Sequence, residues 1–230
     1  MKVIGLIGGM SWESSAEYYR LINQITRERL GGLNSARILM YSVNHHVINE
    51  LEHQNQWAEV LEIMIDSARR LKKGGADFIL ICCNAMHKIA EQIQNSIEVP
   101  LIHIADAAAE AVKRARLSSV GLLGAKAVME EEFFKNNLLA VDLKVLIPAE
   151  NDRDFVNDVI FNQLAYGKIV EESRKRTIEI VKKLKTAGSQ GVILGCTELP
   201  LLIREEDSVL PLFDTLKLHA QRAVDLALVN

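Results

Sequence analysis

Eight short apolar and β-branched runs punctuate the chain, at residues 3–8, 36–43, 77–83, 99–104, 119–124, 143–148, 191–196 and 209–214. Each has the length of a strand and few charges, which predicts strands buried on both faces, as in a parallel sheet. Between them lie longer stretches with helical spacing, at 13–30, 56–73, 85–96, 105–117, 150–164, 168–187 and 215–229. Gly74, Gly75 and Gly188 are placed to stop helices. Strand alternating with helix predicts crossover units and an α/β protein.

The pattern also repeats. IGLIGGM from Ile4 resembles VGLLGAK from Val120, an offset of 116, and ILICCNA from Ile79 resembles VILGCTE from Val192, an offset of 113. A weaker echo pairs Pro100 with Pro211, each opening a strand that an acidic residue follows, Asp106 or Asp214. Three ordered pairs predict two pseudo-symmetric α/β halves, each a small, mostly parallel sheet flanked by helices, with the active site in the cleft between them. The expected division is residues 1–98 plus 215–230, the C-terminal helix packing back on the first half, and residues 99–214.

Composition narrows the function. The 230 residues are 49% hydrophobic and 25% charged, the balance of a globular protein with a substantial core. A net charge of -3, with no long run of Lys or Arg, argues against a nucleic-acid partner and for small molecules. No apolar run is long enough to span a membrane, and MKVIGLIGG reads as a strand, so a cytoplasmic protein without a membrane partner is expected. Only Cys82, Cys83 and Cys196 occur, and the expectation is free thiols rather than a disulfide framework.

In open α/β sheets ligands gather at the carboxyl ends of strands, where helix N-termini present amides and partial positive charge. Cys83 and Cys196 end equivalent strands of the two halves, followed by Asn84 and Thr197, residues suited to cap a helix or bind an anion. Amides at a helix start stabilise a thiolate, so both cysteines are candidates for acid, base or nucleophile. Cys82 points to the opposite side of its strand and corresponds to Gly195, which marks it as a packing residue. Two symmetry-related thiols suit racemisation, which needs a base on one face of a carbon and an acid on the other. If each sulfur approaches the α-carbon to about 3–3.5 Å, the two should face each other roughly 7 Å apart, a separation that excludes a disulfide.

These motifs resemble the aspartate/glutamate racemase superfamily, in its branch of aspartate racemases and broad-specificity amino-acid racemases. The resemblance spans essentially the whole chain and is carried by GLIGGMSWESS (5–15), CNAMHK (83–88), GLLG (121–124), GCTELPLL (195–202) and FDT (213–215). It implies Cys83 and Cys196 as the catalytic pair. Gly8, Gly9 and Met10 would line the pocket, Asn84 and Thr197 would hold the substrate α-carboxylate, and Ala85, Glu198 and Lys168 would lie in the substrate-binding set. It further implies no pyridoxal phosphate and no metal, an amino-acid substrate and, with the largely apolar first helix, a homodimer. Two departures bear on specificity. Ala85 stands where the family usually has threonine, and residues 41–48 lack the arginine that some aspartate racemases place there, leaving His45 and His46 as the nearby basic residues. His87, four residues after Cys83, reads as a capping or packing residue that could also cover the site.

The same residues fit other functions. Hydantoin racemase and maleate isomerase share the fold and the cysteines, whereas arylmalonate decarboxylase needs only one thiol. A non-catalytic amino-acid-binding protein would close on its ligand without changing its hand. A metal site from Cys83, His87 and Cys196 has the residue types but not the usual paired-ligand spacing.

Overall fold

A computed structural model describes residues 1–229; Asn230, included in the expected first half, lies outside the described residues. The chain forms two compact units, Met1–Ile104 with the chain from His219 onward, and Ala105–Leu218. Each is a four-stranded parallel sheet flanked by helices.

In the first unit the order along the chain is β1 (Ile4–Gly8), α1 (Trp12–Leu30), β2 (Ile38–Ser42), α2 (His45–His53), α3 (Trp57–Lys73), β3 (Phe78–Ile81), a 3-10 turn (Ala85–Ile89), α4 (Ala90–Gln94) and β4 (Leu101–Ile102). The strands lie in the order β2-β1-β3-β4. β1 and β3 are buried throughout, whereas β2 and β4 at the edges are only partly so. α3 covers the sheet with Val60, Met64, Ser67, Ala68 and Leu71, a stripe at helical spacing, and Met64 packs in one core with Ile7, Ile79 and Ile81. Gly75, at φ +98, supplies the left-handed residue that ends this helix.

In the second unit α5 (Ile104–Arg114), whose first residue belongs to the first unit, is followed by β5 (Ser119–Gly124), α6 (Lys126–Glu130), α7 (Glu132–Leu139), β6 (Lys144–Leu146), α8 (Glu150–Asn162), α9 (Glu171–Thr186), β7 (Val192–Gly195), α10 (Leu199–Leu202) and β8 (Leu212–Asp214). Its order, β6-β5-β7-β8, is that of the first sheet. α11 (Thr215–Leu228) carries the chain back to the first unit at His219. The central strands β5 and β7 are buried at every position. α9 turns Thr177, Ile180, Val181 and Leu184 inward.

All eight expected strands form, and the repeat acquires a topological meaning: β1, β3 and β4 occupy the sheet positions of β5, β7 and β8. The expected division is corrected in consequence. Residues 99–104 belong to the first unit, because Leu101 and Ile102 pair with Ile79 and Leu80 of β3, and residues 215–218 belong to the second.

Other expectations change in detail. The helix expected over 85–96 is a 3-10 turn followed by α4, and the one expected from 168 begins at Glu171. The helices α2, α6, α7 and α10 carried no clear periodic signal, being four to nine residues long. Extended backbone at Glu131 splits α6 from α7. No helix among the described residues is long and apolar enough to cross a membrane.

Candidate active site

In the first unit β1 ends in a turn that only glycine can make. Gly9 sits at φ +98, and a Cβ there would lie 2.2 Å from the Val43 carbonyl oxygen. The turn is tied to α1: the Gly9 amide donates to Ser15 Oγ (2.8 Å), Ser15 Oγ donates to the Ser11 carbonyl (2.8 Å), and the Ser11 hydroxyl caps the helix by accepting from the Ser14 amide (3.3 Å). Ser11 and Ser15 were not among the expected site residues; the signal was a serine two residues past the glycine pair, at the edge of a helical pattern. Met10 is nearly buried, its side chain in the hydrophobic core with Ile48 and Val60.

Cys83 follows β3 by two residues. It is partly exposed, while Cys82 is fully buried and burial pushes its thiol far above the ordinary range. All three cysteines are free. Asn84 is buried, in right-handed helical conformation, and its side chain makes no cap hydrogen bond, so of the two roles expected of it, capping a helix or binding an anion, the first is not the one it takes. The 3-10 turn from Ala85 replaces the regular helix N-terminus anticipated behind Cys83.

His87 is buried, and its Nδ1 lies 2.9 Å from the Cys83 carbonyl oxygen. A carbonyl only accepts, so Nδ1 carries the proton. Burial lowers the basicity of His87 well below the usual histidine range, and the nearby His103 and His219 lower it further. His87 is therefore a neutral group that holds the backbone at Cys83.

His45 and His46 are exposed at the start of α2, where Asn44 Oδ1 accepts from the His46 amide (3.0 Å). Beside them, at the carboxyl end of β2, lies a groove of about 470 Å³ whose lining includes Tyr41, Asn44, Glu62 and Asp66.

In the second unit β5 and β7 run side by side to Gly124 and Gly195, and Cys196 follows directly. A Cβ at Gly195 would lie 2.9 Å from Val128 Cγ1, so a side chain like that of Cys82 would press on α6 here. Cys196 is nearly buried. Its Sγ donates to Glu198 Oε2 at 3.0 Å, and Thr197 Oγ1 donates to the same oxygen at 2.7 Å. Thr197 thus orients a carboxylate rather than capping a helix; the capping position of α10 is Glu198, which makes no side-chain cap bond.

Lys168 is exposed, three residues before α9 rather than at its start, in a turn where Gly167 takes φ +67. Its Nζ stands 5.9 Å from the centre of the Tyr166 ring. Among the described residues no three His, Cys, Asp or Glu side chains gather to hold a metal ion.

Two α/β units of one topology, each with a free cysteine just beyond the carboxyl end of its third strand, define a class of internally duplicated proteins. Residues 7–223 match the family of Asp/Glu/hydantoin racemases, and the chain belongs to that family. It is 23% identical over 221 residues to the broad-specificity amino-acid racemase RacX of Bacillus subtilis, covering 93% of this chain and 92% of that one. The solved structure of a Yersinia pestis protein named after the Asp/Glu racemases superposes with a TM-score of 0.95 at 43% identity, covering both chains completely. An aspartate racemase homologue from Pyrococcus horikoshii gives a TM-score of 0.87 at 32% identity over 99% of both chains.

Proposed function

We propose that the protein is a cofactor-independent amino-acid racemase in which Cys83 and Cys196 transfer a proton across the substrate α-carbon. One observation carries this reading: strands of equal rank in two like sheets, β3 and β7, each deliver a free cysteine just past the carboxyl end. A reaction whose two directions are mirror images needs such a pair. One sulfur removes the α-proton as a thiolate, and the other, as a thiol, delivers a proton to the opposite face.

The charge that builds up on the substrate carboxylate needs donors. Asn84 and Thr197 fill that role in the resemblance, with backbone amides of the two strand ends. The Thr197 hydroxyl, directed at Glu198 in the free protein, turns to the substrate when it binds. Ala85 and the lack of arginine in residues 41–48 weigh against a substrate defined by a second carboxylate. Likeness to RacX points the same way, to broad specificity. Lys168, exposed on its turn, is proposed as a mobile cation toward the substrate. The protein is proposed to act as a homodimer.

The test is solvent deuterium entering the α-position of L- and D-amino acids, among them aspartate, glutamate, homoserine, methionine and lysine, without added cofactor. Exchange with change of hand supports the racemase and names its substrate. No exchange with any of them overturns it and favours the hydantoin racemase, maleate isomerase or ligand-binding readings.

A further inference from the structure

A two-base racemase must hold one of its sulfurs as thiol and the other as thiolate before substrate arrives, and a symmetric pair does not decide which. We propose that Glu198 decides it, keeping the proton on Cys196 so that the resting enzyme presents Cys196 as the acid and Cys83 as the base. This rests on the two-cysteine reading above and gives Glu198, expected in the substrate-binding set, a different task.

The geometry is specific. Cys196 Sγ lies 3.0 Å from Glu198 Oε2, and only a proton between them makes that contact favourable. That proton belongs on sulfur, since an ordinary thiol holds its proton roughly four pH units more firmly than an ordinary carboxyl group. Removing it would set a thiolate against a carboxylate at hydrogen-bond distance, at a residue only 8% exposed, where like charges repel strongly. The carboxylate cannot simply swing away without loss, because Thr197 Oγ1 donates to the same oxygen at 2.7 Å. In the repeat Cys196-Thr197-Glu198 corresponds to Cys83-Asn84-Ala85, so the first unit has no acidic side chain at the matching position. Glu198 is a positioning residue: it acts through the sulfur and breaks the symmetry of the pair.

The steps balance. The Cys83 thiolate takes the α-proton, forming S–H as C–H breaks and leaving the electron pair on the substrate carbon and carboxylate. The Cys196 S–H then breaks as a new C–H forms on the other face. Product leaves behind a Cys83 thiol and a Cys196 thiolate beside Glu198, the less stable form. It either accepts substrate of the opposite hand or returns to rest by exchanging protons with water.

The experiment follows alkylation of the substrate-free, full-length protein by iodoacetamide from pH 5 to pH 10, with Cys83 and Cys196 read separately by peptide mass spectrometry. In the native protein Cys83 should reach half its maximal rate at lower pH than Cys196. Glu198→Gln, which keeps the shape and removes the charge, should move the Cys196 curve to lower pH and speed its alkylation at pH 7 about tenfold or more. The Cys83 curve should stay in place. Thr197→Val, which loosens the carboxylate, should act in the same direction by less. The ultraviolet thiolate absorbance of Cys83→Ser against Cys83→Ser with Glu198→Gln reads the same change without a reagent.

A Cys196 curve that is unmoved, or moved to higher pH, in Glu198→Gln overturns the proposal, as does a native Cys196 that reacts at lower pH than Cys83. Neither readout needs turnover. Faster alkylation in a protein that exchanges no α-deuterium would therefore retire the racemase reading and leave the protonation assignment of Cys196 standing.

Discussion

Tyr18 and His219, 201 residues apart in sequence, meet inside the first unit: the tyrosine hydroxyl lies 2.8 Å from His219 Nδ1, and the rings cross edge to face at 5.7 Å. Both are fully buried. His219 Nε2 lies 2.9 Å from the Ile102 carbonyl oxygen. The carbonyl can only accept, so Nε2 bears the proton and Nδ1 takes the tyrosine O–H. One imidazole thus joins α1, the end of β4 and α11, and anchors the C-terminal helix in the unit that begins the chain. Tyr18→Phe leaves a buried Nδ1 without its donor and should destabilise the protein by about 1–3 kcal/mol, read from the urea midpoint.

The same imidazole makes the first unit sensitive to acid. Burial lowers the His219 pKa from 6.5 to about 3, only partly offset by the bond to Ile102, and His87 is lowered for the same reason. The unfolded chain therefore binds protons on these groups below its ordinary histidine value while the folded chain does not. The stabilisation tied to His219 is full above pH 6.5 and is lost as the pH falls toward about 3, and that tied to His87 is lost in the same direction. His219 should contribute a slope of about 1.4 kcal/mol per pH unit in that window. Urea titrations at pH 7, 6, 5 and 4 should show falling stability. In His219→Gln the slope should lessen; an identical slope would mean that His219 does not carry the effect.

At the turn after β1, Gly9 combines a left-handed φ of +98 with a backbone oxygen 2.2 Å from where a Cβ would be. Gly9→Ala must then move β1, β2 or both, and should cost upwards of about 2 kcal/mol. It should also shift the amide that holds Ser15, so α-deuterium exchange should drop along with stability. Gly167→Ala offers a control. Gly167 also has a positive φ, but nothing lies near the Cβ it would gain, so the cost there should be conformational strain without a clash.

The central elements were legible because burial on both faces leaves a plain mark: β1, β3, β5 and β7 are runs with no exposed position, and each appeared as an apolar block. The repeat was legible for the same reason, and the pairing of Pro100 with Pro211 already implied that β4 closes the first sheet as β8 closes the second. The division at residue 98 overlooked that implication, since a lone strand can join either neighbour until its partner is known. The short helices left no mark because four to nine residues, two and a half turns at most, are too few to show a period. At the site, residue types and strand alternation pointed to Cys83 and Cys196, but side-chain direction in the turns beyond the strands was invisible. That Met10 turns into the core, and that Glu198 turns to Cys196, are settled by packing and by a hydroxyl on the neighbouring residue.

The adjacent thiols Cys82 and Cys83 provide a test of function within a single dipeptide. Cys82 has no exposed surface, its thiol is held protonated by burial, and its amide continues the sheet by donating to the Ile7 carbonyl at 2.9 Å. Cys82→Ala removes one small buried group and should cost on the order of 1 kcal/mol, with α-deuterium exchange retained. Cys83→Ser and Cys196→Ser keep shape and polarity but exchange a thiol for a hydroxyl that ionises far less readily. Each should depress the change of hand by at least about 10²-fold, the contribution of a positioned acid or base, while amino-acid binding measured by calorimetry persists. Racemisation by Cys83→Ser at a rate near that of the native protein would end the two-base scheme. Loss of exchange in Cys82→Ala at unchanged stability would move the chemistry to the wrong side of the strand.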